Sequence, residues 1–264
     1  MLKTLIAASA YKDFIINSIK REFKSRYHTS LLGAAWLVLQ PLAMIVVYTV
    51  IFSEVMKARM PDSTIPFAYS IYLCAGLLTW GFFSELLSRL INIFVDSGNY
   101  LKKINFPRIC LPIISIGVSF VNFLIIFSLY VVFLIVTGNF PGVVFLCIIP
   151  LLIIQVLFAT GLGITLGVMN VFFRDVGQFM TILLQFWFWF TPVIYLINII
   201  PEWARSWLMW NPMTAVIMGY QRVFVYHQAP IWSDLTLVMT LTIIFNVIAY
   251  RLYRKHSGEM VDEL

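Results

Sequence analysis

Charge is scarce in this 264-residue chain: Lys, Arg, Asp and Glu make up 11% of it, against 61% hydrophobic residues. A soluble domain of this size cannot hide so much apolar side chain, so composition alone places the protein in a membrane. Cysteine is nearly absent. Cys74, Cys110 and Cys147 are odd in number and lie inside apolar runs, which argues against a disulfide framework or a metal site and leaves them as small buried hydrophobes. No G-x-x-x-x-G-K occurs, so the chain has no P-loop to cradle nucleotide phosphates. There is no H-E-x-x-H and no aspartate pair spaced to hold a sugar-nucleotide metal, and His28, His227 and His256 are far apart on the expected map. The opening MLKTLIAASAYKD has too short an apolar core for a signal peptide, so insertion is expected to rest on internal spans.

What the chain does have is long apolar runs. They predict an all-α integral membrane protein with six transmembrane helices, at about residues 31–52, 67–95, 109–136, 143–172, 178–197 and 232–250. Each reaches the ~20 residues that cross ~30 Å of hydrocarbon. Ahead of them, residues 9–26 read as an amphipathic helix. Phe14, Ile15, Ile19 and Phe23 form one stripe with Ile16 beside it, and Lys12, Lys20, Arg21 and Lys24 hold the polar side. That pattern fits a helix in the headgroup plane, the alternative being a solvated helix packed on a partner.

Basic residues set the orientation. Thirteen fall in the N-terminal arm (Lys3 to Arg26), the 96–108 loop (Lys102, Lys103, Arg108), the short loop with Arg174, and the tail (Arg251, Arg254, Lys255). Four lie on the other side: Lys57, Arg59, Arg205 and Arg222. Both termini are therefore expected in the cytoplasm. This placement near span ends reads as topology, and no nucleic-acid partner is expected.

Four stretches attract attention. Five of the eight tryptophans, Trp187, Trp189, Trp203, Trp207 and Trp210, crowd the segment 183–224, which is expected to dip at the outer face as a gate or vestibule. Two short amphipathic segments there divide at Asn211-Pro212. Glu85 and Arg89 lie four apart within the second span, either as a structural pair or as pore-lining charges. Gly163-x-x-x-Gly167 reads as a close helix-packing surface rather than part of a nucleotide fingerprint. The cytoplasmic loop 96–108 carries Tyr100, Leu101, Ile104 and Phe106, apolar anchors that suit a docking knob better than a bare connector, and Pro107 ends any helix there.

At this point the chain resembles a known family, the membrane subunits of ABC-2 type exporters in the polysaccharide branch, which moves O-antigen, capsule or teichoic acid. The resemblance rests on Arg26-Tyr27 followed by Leu32-Gly33-Ala34-Ala35-Trp36 and Pro41-Leu42, then Ala75-Gly76-Leu77-Leu78-x-Trp80 and Ile104-Asn105-Phe106-Pro107-Arg108. Arg174-Asp175, Thr191-Pro192-Val193-Ile194-Tyr195 and Trp210-Asn211-Pro212-Met213 with Arg222 complete it, in order along nearly the whole chain.

The resemblance implies a single membrane domain over 1–264, with 9–26 as an interfacial helix and two external gate helices within 198–230. It implies coupling to a separate ATPase through the 96–108 loop (Tyr100, Leu101, Ile104, Phe106, Arg108), with Arg174 and Asp175 in a second contact. ATP and magnesium would sit on that partner, with no cofactor here. Two copies of the chain and two ATPase subunits would export an undecaprenyl-linked glycan, O-antigen foremost, across the bacterial inner membrane. Capsule, teichoic acid, or another amphiphile such as a lipid or drug is the alternative cargo. The candidate channel and gate residues are Trp187, Trp189, Tyr195, Trp203, Trp207, Trp210, Arg222, Glu85 and Arg89. For each ring the alternative is an interface belt facing lipid. An intramembrane enzyme on lipid-linked sugars is disfavoured, because no acidic or histidine residues cluster at one depth.

Overall fold

The computed structural model describes residues 11–27, 35–50, 67–98, 110–256 and 258–260. Among them are nine α-helices and no strand. In chain order these are α1 (Lys12–Tyr27), α2 (Trp36–Val50), α3 (Ala68–Asp96), α4 (Cys110–Val136), α5 (Ile148–Phe172), α6 (Asp175–Trp189), α7 (Glu202–Met209), α8 (Pro212–Tyr226) and α9 (Thr236–His256). Three short 3-10 turns, Gly142–Cys147, Ile197–Ile199 and Trp232–Leu235, join them.

Four helical segments are long and apolar enough to cross a membrane: Ala68–Asp96, Cys110–Val136, Gly142–Phe172 and Trp232–His256. They match the expected second, third, fourth and sixth spans. The expected first span appears as α2, whose apolar part is the shorter Val38–Val47. The expected fifth span, 178–197, divides into the 15-residue α6 and a non-helical turn. Proline explains the division: Pro192 has no N–H to continue the helical ladder, and it disfavours helical geometry at Thr191.

Helix α3 is the hub. Of its apolar window 72% is buried, against 28%, 28% and 22% for the other three long segments, because α4, α5, α8, α6 and α2 all pack around it. The others turn apolar faces outward, as Val132, Ile135, Ile149, Ile153 and Ile243 do. That is the pattern of helices whose outer solvent is lipid rather than water.

Close approach to the hub depends on two glycines of α5. A Cβ on Gly163 would stand 2.6 Å from Leu90 Cβ, and one on Gly167 would stand 2.5 Å from the Leu90 carbonyl oxygen. The packing role read from their spacing holds. Where α4 ends, Gly138 adopts φ 73°, with Asn139 N–H reaching Leu134 O and Gly138 N–H reaching Ile135 O, a paired cap that reverses the chain.

Helix α1 lies along the start of α4. Ile15 is buried with Cys110, Ile114 and Val118, while Ile19 and Phe23 pack against that cluster. Ile19 occupies the notch over Gly117. Three of the four residues of the predicted stripe, Ile15, Ile19 and Phe23, thus face the protein, while the fourth, Phe14, and its neighbour Ile16 stay exposed. The three cysteines are free, two of them buried.

Candidate functional site

The non-helical turn after α6 is built from the residues that surround it. Thr191 Oγ1 donates to the Trp187 carbonyl at 2.7 Å, closing the helix end. Beyond it, one carbonyl after another finds a side-chain donor. Phe190 O accepts from Asn211 Nδ2 at 2.9 Å, and Pro192 O accepts from Gln221 Nε2 at 3.0 Å. Ile194 O accepts from the Tyr69 hydroxyl at 2.7 Å, and Tyr195 O from the Tyr72 hydroxyl at 2.9 Å. Irregular backbone at membrane depth requires such partners, since hydrocarbon supplies none. Thr191 and Val193 are fully buried in consequence. Gly76 of α3 makes room, because a Cβ there would stand 2.8 Å from Val193 O.

Asn211 ties both ends of this segment. Its Oδ1 accepts from Trp187 Nε1 at 2.8 Å and from Met213 N–H at 3.0 Å, the second bond capping α8. Its Nδ2 donates to Phe190 O and to Thr191 Oγ1. Pro212 at the first position of α8 suits a helix start. One planar amide thus fixes the end of α6, the turn and the start of α8.

The predicted channel aromatics separate into two groups. Trp187 points into the protein, edge-on to Trp80 and Phe83 at 6.1 and 5.3 Å between ring centroids. Trp189 is 64% exposed, and Trp203, Trp207 and Trp210 of the α7 segment are 73–76% exposed. Those last three fall at i, i+4 and i+7, a single helical face. Tyr195 folds back, its hydroxyl donating to Trp189 O at 3.0 Å. Arg222 donates from Nε to Ala229 O and from a terminal nitrogen to Gln228, each at 3.0 Å. It lines a cavity of about 220 Å³ with Tyr72, Asn198, Gln221 and Asp234, behind the turn.

At the opposite end of α3, Glu85 and Arg89 form the predicted i,i+4 pair at 3.1 Å. The pair is part of a larger set. Arg89 also bridges to Glu22 of α1, and the second Glu85 oxygen accepts from Asn122 Nδ2 of α4 at 2.6 Å. Two carboxylates thus share one guanidinium, joining α1, α3 and α4. Arg174 and Asp175 are exposed at the start of α6. The turn carrying them is held by Asn170, whose Oδ1 accepts from Gly177 N–H at 2.9 Å while its Nδ2 donates to Ile91 O at 3.1 Å. Tyr100, Leu101, Ile104, Phe106 and Arg108, the predicted coupling residues, lie outside the described residues. Among the described residues no group of three or more His, Cys, Asp or Glu is placed to hold a metal.

Sequence reasoning missed Tyr69, Tyr72, Gln221, Glu22 and Asn122. Gln221, 2% exposed within an apolar helix, is the one with a legible signal, since a buried amide in such a setting must have a partner.

Comparison with known proteins bears on the whole chain. An O-antigen export system permease protein RfbA of Klebsiella pneumoniae is 30% identical over 248 residues, covering 90% of this chain and 93% of that one. The protein of the same name in Myxococcus xanthus is 28% identical over 266 residues and covers both chains completely. A polysialic acid transport protein KpsM of Escherichia coli is 23% identical over 246 residues, 91% of this chain and 92% of its own. Residues 15–225 match the ABC-2 type transporter family, from α1 through the turn to the end of α8. The helical bundle, the membrane-length spans and that match agree: the chain is a membrane transport subunit belonging to the ABC-2 type transporter family.

Proposed function

We propose that this chain is the membrane half of an exporter that moves a lipid-linked polysaccharide of the O-antigen kind across the bacterial inner membrane. The observation that carries this is the likeness to O-antigen export permeases over 90–100% of the chain, at 28–30% identity against 23% for a polysialic acid transporter. The chain has no P-loop, so ATP hydrolysis belongs to a separate subunit, present in two copies beside two copies of this chain. The 96–108 loop transmits the stroke, with the exposed Arg174-Asp175 turn as a second contact.

In this reading α2 and α6 complete a set of six spans, both termini are cytoplasmic, and α1 lies in the headgroup plane. The turn at 190–196 and helices α7 and α8 then face outward. Of those two helices, α7 is the movable gate element. Its two exposed indoles and that of Trp210 at its end offer flat faces to sugar rings, whereas α8 buries Met213, Ile217, Tyr220 and Phe224 and cannot leave without exposing them.

The test is to purify the chain with its ATPase partner in lipid and follow ATP hydrolysis as lipid-linked glycan is added. Stimulation by an undecaprenyl-linked O-antigen, with glycan appearing in the vesicle lumen, is the expected result. Stimulation by simple lipids or drugs alone would replace the reading with export of another amphiphile.

A further inference from the structure

Helix α9 is fixed on one side and bare on the other. Near its end Leu252 and Tyr253 pack against the cluster of Phe94, Val168, Val171 and Met260, with Tyr253 stacked on Phe94 at 6.0 Å between ring centroids. His256 stands edge-on to Phe172 and joins Glu259 at 2.6 Å. These contacts set the rotation of the helix about its own axis and leave Arg251, Arg254 and Lys255 exposed. None of the three makes a hydrogen bond or an ion pair among the described residues. Glu259, the described acidic residue nearest them in sequence, is taken by His256.

The same outward face continues along the helix as an apolar stripe. At about 100° per residue, Ile243, Val247, Tyr250 and Arg254 fall within roughly 60° of one another, with Arg251 and Lys255 beside them. Ile243, Val247 and Tyr250 are all exposed. From Ile243 to Arg254 the helix rises about 16 Å, close to the ~15 Å of hydrocarbon in one leaflet. Leu157 of α5 supplies the facing wall, tied to α9 where Asn246 Nδ2 donates to Leu157 O at 2.9 Å. Together they line a groove of about 820 Å³, with three cations at one end and apolar side chains along most of the rest.

Charge and location narrow the occupant. A helix C-terminus attracts positive charge in its last turn, and a long basic side chain at a membrane surface can reach water unaided. Three unpartnered cations within about 6 Å of helix, at the head of a stripe of leaflet length, go further than either needs. They are complementary to an anion that carries its own hydrocarbon. Tyr250 lies between the two zones, where a phenol suits the boundary of headgroup and acyl chain. None of the lining residues belongs to α3, α6 or α8, so the groove stands apart from the hub and the turn. Its occupant therefore comes from the surrounding bilayer.

We propose that this groove binds an anionic phospholipid of the bilayer, its phosphate held by Arg251, Arg254 and Lys255 and an acyl chain lying along Ile243, Val247 and Leu157. In the orientation proposed above, the lipid belongs to the cytoplasmic leaflet. The test reads lipid retention and needs no transport, so its outcome is separate from that of the export reading. The full-length permease, delipidated in detergent, is titrated with phosphatidylglycerol or with phosphatidylcholine of the same chains, and bound lipid is counted by native mass spectrometry. Phosphatidylglycerol should be retained at a concentration at least ten-fold lower. Arg251→Gln, Arg254→Gln and Lys255→Gln together should bring the two lipids within two-fold. Val247→Trp fills the groove without removing charge and should weaken phosphatidylglycerol at least three-fold. Glutamine at Lys12, Lys20 and Lys24 of α1 should leave the ten-fold preference in place. Equal retention of both lipids by the unaltered protein would overturn the proposal. So would a preference that survives the α9 exchange, or one that the α1 exchange also abolishes. Unchanged binding in Val247→Trp would reject the groove and leave only a charged surface. Displacement of phosphatidylglycerol by an equal concentration of undecaprenyl phosphate would give the groove to a carrier lipid instead.

Discussion

Helices α7 and α8 are neighbours in sequence, separated only by Trp210 and Asn211, and their amphipathic patterns suggest a matched pair. The structure sends them to opposite environments. Helix α8 buries Met213, Val216, Ile217, Tyr220, Val223 and Phe224 as it packs chiefly on α3, with Phe224 edge-on to Tyr130 of α4, and it uses its one buried amide, Gln221, to hold the turn. Helix α7 buries nothing, and the indoles of its segment face outward. Position decides between them rather than size, since α8 buries rings as large as Tyr220 and Phe224. Helix α8 lies against α3, whereas the indoles along the α7 segment stay exposed and are suited to an interface. The contrast extends to α6, where Trp187 belongs to the interior and Trp189 to the outside.

Disrupting the buried side should have the largest effect. Gly76→Leu places a side chain where Val193 O already stands 2.8 Å from an ideal Cβ, and two backbones must separate to admit it. Overpacking of this kind costs about 3 kcal/mol or more. Size-exclusion chromatography should show at least a ten-fold loss of monodisperse protein. Next comes Trp187→Ala, which empties the space beside Trp80 and Phe83 and leaves Asn211 Oδ1 with one donor fewer. A loss of about 3 kcal/mol is expected, read as a fall of roughly 10 °C in the unfolding midpoint in detergent.

Asn211→Ala removes the tie between α6, the turn and α8, for about 2 kcal/mol and roughly 5 °C. Asn211→Asp should be no better, since a carboxylate cannot donate to Phe190 O and Thr191 Oγ1. The smallest effect on folding should come from the exposed set. Trp207→Ala should change stability by under about 0.5 kcal/mol while lowering glycan export. A midpoint shift for Trp207→Ala as large as for Trp187→Ala would erase the inside–outside distinction.

Much of the fold was legible because bilayer crossing imposes a length and a polarity that a single chain displays openly. The second, third, fourth and sixth spans, the stripe on α1 and the Gly163–Gly167 face all follow from local spacing. The two short helices were also visible, because Asn211-Pro212 divides their amphipathic segments. Their different fates were not. Whether an apolar face is buried depends on what stands opposite, and for α8 that is α3, over a hundred residues earlier. The same distance hid the turn. Tyr69 and Tyr72 read as aromatics at the start of a span, and nothing near them in sequence indicates that they serve carbonyls at 192–195. Glu85 and Arg89 were found through their i,i+4 spacing, whereas Glu22 and Asn122 lie on other helices and escaped. Two residues apart at ~100° per residue, Trp187 and Trp189 must lie on different faces of a helix, but only packing shows which face is inside.

The hydrogen bonding of the turn also has a consequence for synthesis at the ribosome. Tyr69 and Tyr72 leave the ribosome well before residues 190–195, but Asn211 and Gln221 follow them. At roughly 5–20 residues per second, the carbonyls of Phe190 and Pro192 wait about 1–6 s for the two amides. During that interval the segment cannot rest in hydrocarbon, so it is held in water or in the insertion machinery until α8 arrives. Chain termination between residues 196 and 210 should therefore yield a protein that membrane quality control degrades, although α3, α4, α5 and α6 have all been made.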